Sequence, residues 1–311
     1  MHRLPNPPKM PLASAAEKRT HKGFGVRRGT AVGLAAAVLL SVSPGAWADE
    51  CPSAVAGASA SCPAVPPSSI VVHGLERGRA TAIRDHAERM RREAFARLLG
   101  EPAPAAWHVP CDIHVHLSTE SFASAVGGPP VDARGATSLE FAGDRVAARR
   151  IDVMGDGPDA IPDALDHELV HVVLADHFVH APPPRWADEG LALQFDAPAK
   201  QARHDADFRA ALRRGLAWET EDLVTLEDYP SDCGRQQVFY GQSAAVVRWL
   251  ITRRDEATFI RFLDDAVEHG IEPALRRHYA LDSLASLTSA WKEVAPIHTL
   301  GLADTRREPL P

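Results

Sequence analysis

The stretch Asp166-His167-Glu168-Leu169-Val170-His171 places two histidines four positions apart, with a glutamate directly after the first. In a helix, at about 100° per residue, His167 and His171 leave the axis about 40° apart and share one face. Two nitrogen donors one turn apart suit Zn²⁺, which takes a tetrahedral set of N, O or S ligands. Glu168 leaves from an adjacent line, placed to take a proton from a water near the ion as general base. Pro162 fits a first turn, and the acids over Asp159–Asp163 favour the positive end of a helix dipole, so the helix is expected to start there. Leu165, Leu169, Val172 and Val173 would pack behind the site. Asp166 is either a hydrogen-bond partner for a ligand or an exposed early-helix residue. Three fixed positions in a chain with 15 histidines are a modest signal. A third ligand is needed.

Pro182-Pro183-Pro184 ends the helix and forces an extended or turned link. Trp186 to Phe195 then reads as a second helix that buries Trp186, Ala187, Leu191 and Leu193. Folded back as a hairpin, it brings Glu189 against the histidine face and completes a His₂Glu set with one position open for water. Asp188 either orients a histidine or is solvated. His177 is the rival ligand, because His167-Glu168-x-x-His171-x₅-His177 has the spacing of the three-histidine metzincin proteases. That pattern puts a turn-forming glycine where this chain has Leu174. A continuing helix would leave His177 about 240° from His171, on the wrong side. The metzincin turn also needs a downstream methionine, and the chain has only Met1, Met10, Met90 and Met154. Glu189 is the preferred ligand and His177 the alternative.

Asp166–His171 together with Pro184-x-Trp186-x-x-Glu189-Gly190-Leu191-Ala192 resembles the gluzincin metallopeptidases, thermolysin-like in the broad sense. More narrowly it resembles the bacterial peptidase MA-like proteins. Phe239-Tyr240-Gly-Gln-Ser243 through Leu250 is similar to that group's tyrosine-bearing helix. The resemblance is loose over residues 70–295 and close over 158–250. It implies a small sheet ahead of the metal helix, whose edge strand pairs with an extended peptide substrate. It also implies a zinc cofactor, peptide-bond hydrolysis with Glu168 as base, and Tyr240 as donor to the oxyanion on the attacked carbonyl. A tyrosine merely packed with a wet hydroxyl is the plainer reading of Tyr240. His278 is a backup donor, although Arg276-Arg277-His278-Tyr279 reads as a helix end. A reading of another class stays open: an exported, non-catalytic binding protein with a structural or vestigial zinc site.

The chain ends set the compartment. Basic residues run to Arg27-Arg28, Ala31 to Val42 is apolar, and Ala46-Trp47-Ala48 supplies a cleavage site, so residues 1–48 read as a secretory signal peptide. The apolar run is shorter than the roughly 20 residues that span a bilayer, and an uncleaved anchor is the lesser reading. The expected location is secreted or periplasmic, with no stable membrane insertion after cleavage. Removing the leader leaves 27 basic against 40 acidic residues, a net charge of −13. Nucleic acid and anionic membranes are poor partners for such a chain, and a peptide or protein substrate is what the resemblance implies. Four cysteines in an exported chain suggest disulfides with three connectivities, of which Cys51–Cys62 with Cys111–Cys233 is the expected one.

The expected fold class is α+β: a small mixed or antiparallel sheet with a helix, packed on a mainly helical zincin lobe. Residues 49–69, rich in Ala, Ser and Pro, read as a linker, 70–298 as the domain, and 299–311 as a tail. Within the domain the sheet is expected over about 107–157, the metal helices over about 158–198, and the helical lobe over 200–298. Gly78–Leu99 is an amphipathic helix with Ile83, Ala87, Met90, Ala94 and Leu98 on one face. Cys111–Leu117 alternates as a strand, with Asp112, His114 and His116 opposite the apolar positions. This D-x-H-x-H run resembles the first metal motif of amidohydrolase barrels. A barrel needs eight strand–helix units, and only Ser138–Phe141 and Arg149–Met154 follow as strand candidates. A sheet strand with a solvated histidine face is the expectation. Asp228–Arg235 reads as a turn, and Val238–Thr252, Phe259–Val267 and Ser283–Val294 as helices.

Overall fold

A computed structural model describes residues 68–127, 133–157 and 160–300. The fold is α+β, with one four-stranded sheet N-terminal to the helical region. The strands are β1 (Ile70–His73), β2 (Cys111–His116), β3 (Gly135–Ala142) and β4 (Arg145–Met154), in the order β1-β2-β4-β3. β1, β2 and β4 are parallel, and β3 runs antiparallel to β4 as one edge. Cys111, Ile113 and Val115 alternate inward and are buried, so the apolar face of β2 is the one the pattern predicts. Helix α1 (Arg77–Ala94), running on as a π-helical turn over Phe95–Leu99, connects β1 to β2 and sends Ile83, Ala87 and Ala94 into the same core.

After a short α2 (Thr119–Val126) and the β3–β4 hairpin comes α3 (Leu165–His177), the motif helix. It is apolar on nearly every side: Leu165, Leu169, Val170, Val172, Val173 and Leu174 are all at most 1% exposed. Such a helix lies inside the molecule rather than on it. It packs on α1, β3 and β4 on one side and on α4 (Arg185–Ala192) on the other. A 3₁₀ turn over Leu193–Phe195 leads from α4 into α5 (Pro198–Arg213), and α6 (Thr220–Val224) precedes the long α7 (Cys233–Arg253). α7 packs against α4 and α5. α8 (Glu256–His269), α9 (Ile271–Tyr279) and α10 (Leu284–Leu300) complete the helical half. The α4–α7 contact depends on Gly190, where a Cβ would lie 2.4 Å from Val247 Cγ2 and 2.7 Å from the Ser243 carbonyl oxygen.

Several expectations are corrected. Cys111 and Cys233 are not bonded to one another: Cys111 is buried at the start of β2, whereas Cys233 is exposed in the first turn of α7. The motif helix begins at Leu165 rather than near Asp159–Asp163, after a turn in which Leu165 N donates to the Pro162 carbonyl. β1 and α2 are additional elements, and α7 starts five residues before Val238. The histidine face of β2 is half-buried rather than solvated: His116 Nε2 lies 2.7 Å from Asp152 Oδ1, and His114 stacks on His73 at 4.5 Å. The signal peptide, most of the linker, the Cys51–Cys62 pair and residues 301–311 lie outside the described residues. Among the described residues, no helix is long and apolar enough to cross a membrane.

Candidate metal and catalytic site

α3 presents His167 and His171 on one face, their rings edge to face with centroids 4.9 Å apart. α4 returns antiparallel after the prolines and lays Glu189 across them. Donor atoms of His167, His171 and Glu189 all lie within 4.8 Å of one another, and all three residues are buried. Glu189 Oε2 is 3.3 Å from His167 Nε2 and 3.9 Å from His171 Nε2. Ligands at about 2.0–2.1 Å around a tetrahedral zinc are separated by about 3.3–3.4 Å, so the spacing fits.

Each donor is oriented from behind. Asp188 Oδ1 is 2.9 Å from His171 Nδ1, so a neutral ring with its proton on Nδ1 donates there and turns its Nε2 lone pair toward Glu189. Asp196, in the turn after the 3₁₀ segment, brings Oδ2 to 3.6 Å from His167 Nδ1, and both buried atoms lack another hydrogen-bond partner. The other Asp196 oxygen takes Lys200 Nζ at 2.8 Å. The Tyr229 hydroxyl donates to Glu189 Oε1, which leaves Oε2 facing the imidazoles. Three buried carboxylates around two imidazoles make a strongly cation-favouring pocket. Burial alone would depress the histidines, but the Asp196 and Glu189 contacts push His167 up to about 9, and Asp188 with Glu189 pushes His171 up to about 10. Against its own burial, Glu189 is drawn down to about 2 by His167 and His171. The donor set, its spacing and its orienting acids fit a zinc ion.

Glu168 stands beside this group and is 8% exposed. Thr137 Oγ1, on edge strand β3, donates to Glu168 Oε2 at 2.7 Å. The other carboxylate oxygen lies over Gly135, 2.5 Å from where a Cβ would stand, so only glycine admits it. The start of β3 therefore borders Glu168. Tyr240, in α7, has its ring 6.3 Å from Tyr229 and 6.2 Å from His204. Burial first, then the Glu189 and Glu168 carboxylates, raise its pKa well above the ordinary tyrosine value, so the hydroxyl remains a donor. Among the described residues, no group hydrogen-bonds that hydroxyl.

The predicted residues His167, His171 and Glu189 are thus brought together, and the Glu168 carboxylate is near enough to act electrostatically on His171 and Tyr240. His177 is elsewhere: it ends α3 and pairs with Asp264 of α8 at 2.7 Å. Asp166 reaches His86 of α1 rather than a ligand, and His278 pairs with Asp265. Asp188 touches His171 rather than standing in solvent. Thr137, Asp196, Tyr229 and His204 went unsingled in the sequence. His204 has both ring nitrogens buried without a partner, and burial chiefly holds its pKa below the usual value. No family model matches the chain, and no curated protein matches it.

Proposed function

We propose that this chain is an exported, zinc-dependent peptidase that hydrolyses amide bonds. One observation carries the reading: a His₂Glu donor set converges in a buried pocket beside a glutamate that a strand-borne threonine orients. Zinc at such a set supplies a Lewis acid that polarises a carbonyl and makes water acidic near neutral pH. Glu168 accepts the proton from the attacking water and returns it to the leaving amine. Thr137 fixes the Glu168 carboxylate, which makes its free oxygen the accepting atom. Tyr240 donates to the oxyanion that forms on the attacked carbonyl, while Tyr229 remains engaged with Glu189. β3, an edge strand bordering Glu168, offers its free backbone edge to an extended peptide.

The test is hydrolysis of a mixed peptide library by purified protein, with and without chelator. Glu168→Gln should keep its zinc and lose turnover by at least about a hundredfold, as expected for loss of a general base. Undiminished hydrolysis in that variant removes Glu168 from its role. Stoichiometric zinc with no hydrolysis of any peptide replaces the peptidase reading by a binding module with a structural ion.

A further inference from the structure

We propose that Arg185 selects the substrate of the proposed peptidase by pairing with a carboxylate within about two residues of the bond that is cut, an inference that rests on that reading. Arg185 opens α4, four positions before Glu189, so the two leave one face of the helix about 40° apart. Its Cζ stands 4.8 Å from the centre of the Tyr229 ring, and the Tyr229 hydroxyl is the group that donates to Glu189. The Tyr229 and Tyr240 ring centres are 6.3 Å apart. Burial and then Glu189 push the Tyr229 phenol well above its ordinary value, as burial and then Glu189 and Glu168 do for Tyr240. Arg185 pulls against both shifts, which puts its charge within electrostatic reach of the two hydroxyls.

The fold offers this charge no answering group. Among the described residues no acceptor bonds the Arg185 guanidinium, and none of its nitrogens is sealed from solvent. A ring face attracts a cation but supplies no acceptor atom, so the fork of N–H donors stays available. The acids nearby are already engaged: Asp188 with His171, Asp196 with Lys200, Glu168 with Thr137, and Glu189 with Tyr229. Arg248 is the contrast, since Asp205 and Gln194 take up its guanidinium. A carboxylate is the planar partner that such a fork matches, through two parallel bonds. Four helical residues rise about 6 Å, and an extended peptide advances about 3.3–3.6 Å per residue. A carboxylate on Arg185 therefore lies about two residues from a carbonyl held over the His167–His171–Glu189 cluster. With so many buried acids around that cluster, an anionic substrate needs a cation beside it to approach. The carboxylate comes either from a peptide's C-terminus or from an acidic side chain, and the recognition chemistry is the same.

The test compares two mixed peptide libraries of one composition, one ending in free carboxylates and the other in amides. Purified, zinc-loaded protein digests each, and mass spectrometry reads the cleaved bonds. The parent should cut at least about tenfold faster where a carboxylate stands near the cleaved bond. Arg185→Met should abolish that preference while cutting carboxylate-free sites at the parent's rate, and Arg185→Lys should restore part of it. Enrichment beside chain ends in the free-acid library alone would support the proposal with a terminal carboxylate as the group recognised. Enrichment beside Asp and Glu in both libraries would support it with an acidic side chain. Cleavage indifferent to nearby carboxylates would overturn it. So would an equal fall at all sites in Arg185→Met, because the arginine would then only steady Tyr229. Equilibrium dialysis of both libraries against Glu168→Gln protein, with and without Arg185→Met, separates this proposal from the peptidase reading. Retention of carboxylate-bearing peptides that Arg185→Met abolishes, with no hydrolysis by the parent, would keep the carboxylate site and overturn the peptidase. Neither retention nor hydrolysis would overturn both.

Discussion

Glu189 and His177 are alternatives for the place beside His167 and His171, and single substitutions separate them. Glu189 is 4% exposed and its Oε2 faces both imidazoles, whereas His177 is engaged with Asp264 at the far end of α3. Glu189→Ala should therefore lose most of the bound zinc and His177→Ala should keep it, as read by metal analysis of the purified variants. The reverse order would move the site to the three-histidine type. At this scale the cluster of His167, His171 and Glu189 was legible because helical spacing constrains it: four positions for the histidines, a hairpin return for the glutamate. Tyr229 and Thr137 were not, since each acts across a tertiary contact that leaves no periodic trace. A second residue makes a pH prediction. Asp152 is buried, which works against its charge, yet bonds from Arg150 and His116 hold its pKa below the ordinary 3.8. Its contribution to stability is present above 3.8 and is lost as the pH falls through the lowered folded value. Asp152→Asn should cost about 1–3 kcal/mol at neutral pH. In thermal melts below pH 3.8, the variant should lose less further stability than the parent; parallel losses in both would contradict this account.

Elements meet where side chains are small enough to let them. α4 approaches α7 through Gly190, one position after Glu189, so a methyl group there meets Val247 and the Ser243 backbone. Gly190→Ala should destabilise the fold by about 1–3 kcal/mol. It should also lower zinc content, because the helix it displaces carries Glu189. A variant with unchanged melting temperature and full zinc would show that α4 does not need this contact. Long elements were readable from the sequence by their apolar period, as with α1 through Ile83, Ala87 and Ala94. β1 and α2 escaped for a physical reason. β1 has four residues with only Ile70 buried, and α2 buries only Phe122, so neither spans enough chain to show a repeat. α3 was found by its histidines rather than by amphipathicity, since a helix apolar on nearly all sides has no polar stripe to mark it.

For the molecule as a whole, the His167–His171–Glu189 cluster joins the two halves: α3 packs on the sheet, and α4 packs on the helices beyond it. An ion held by both helices stabilises the folded state by mass action, by about 2.7 kcal/mol when the free metal is a hundredfold above its dissociation constant. In a domain of this size that corresponds to about 5–10 °C. Zinc added to chelator-stripped protein should raise the melting temperature by that amount and leave Glu189→Ala unmoved; an equal rise in both would place the effect elsewhere. The α+β class was legible from the alternation of Cys111–Leu117 followed by long helical periods. Cysteine pairing was not, because parity constrains how many bridges can form and says nothing about where the chain brings two thiols. The segment between α6 and α7 grips Glu189 through the Tyr229 hydroxyl, although it has no regular structure of its own. Surface connections ordinarily drift in length without harm. This one is tied to the carboxylate it steadies, so an inserted or deleted residue there would reach the candidate site, whereas the same change at Gly270, between α8 and α9, would not.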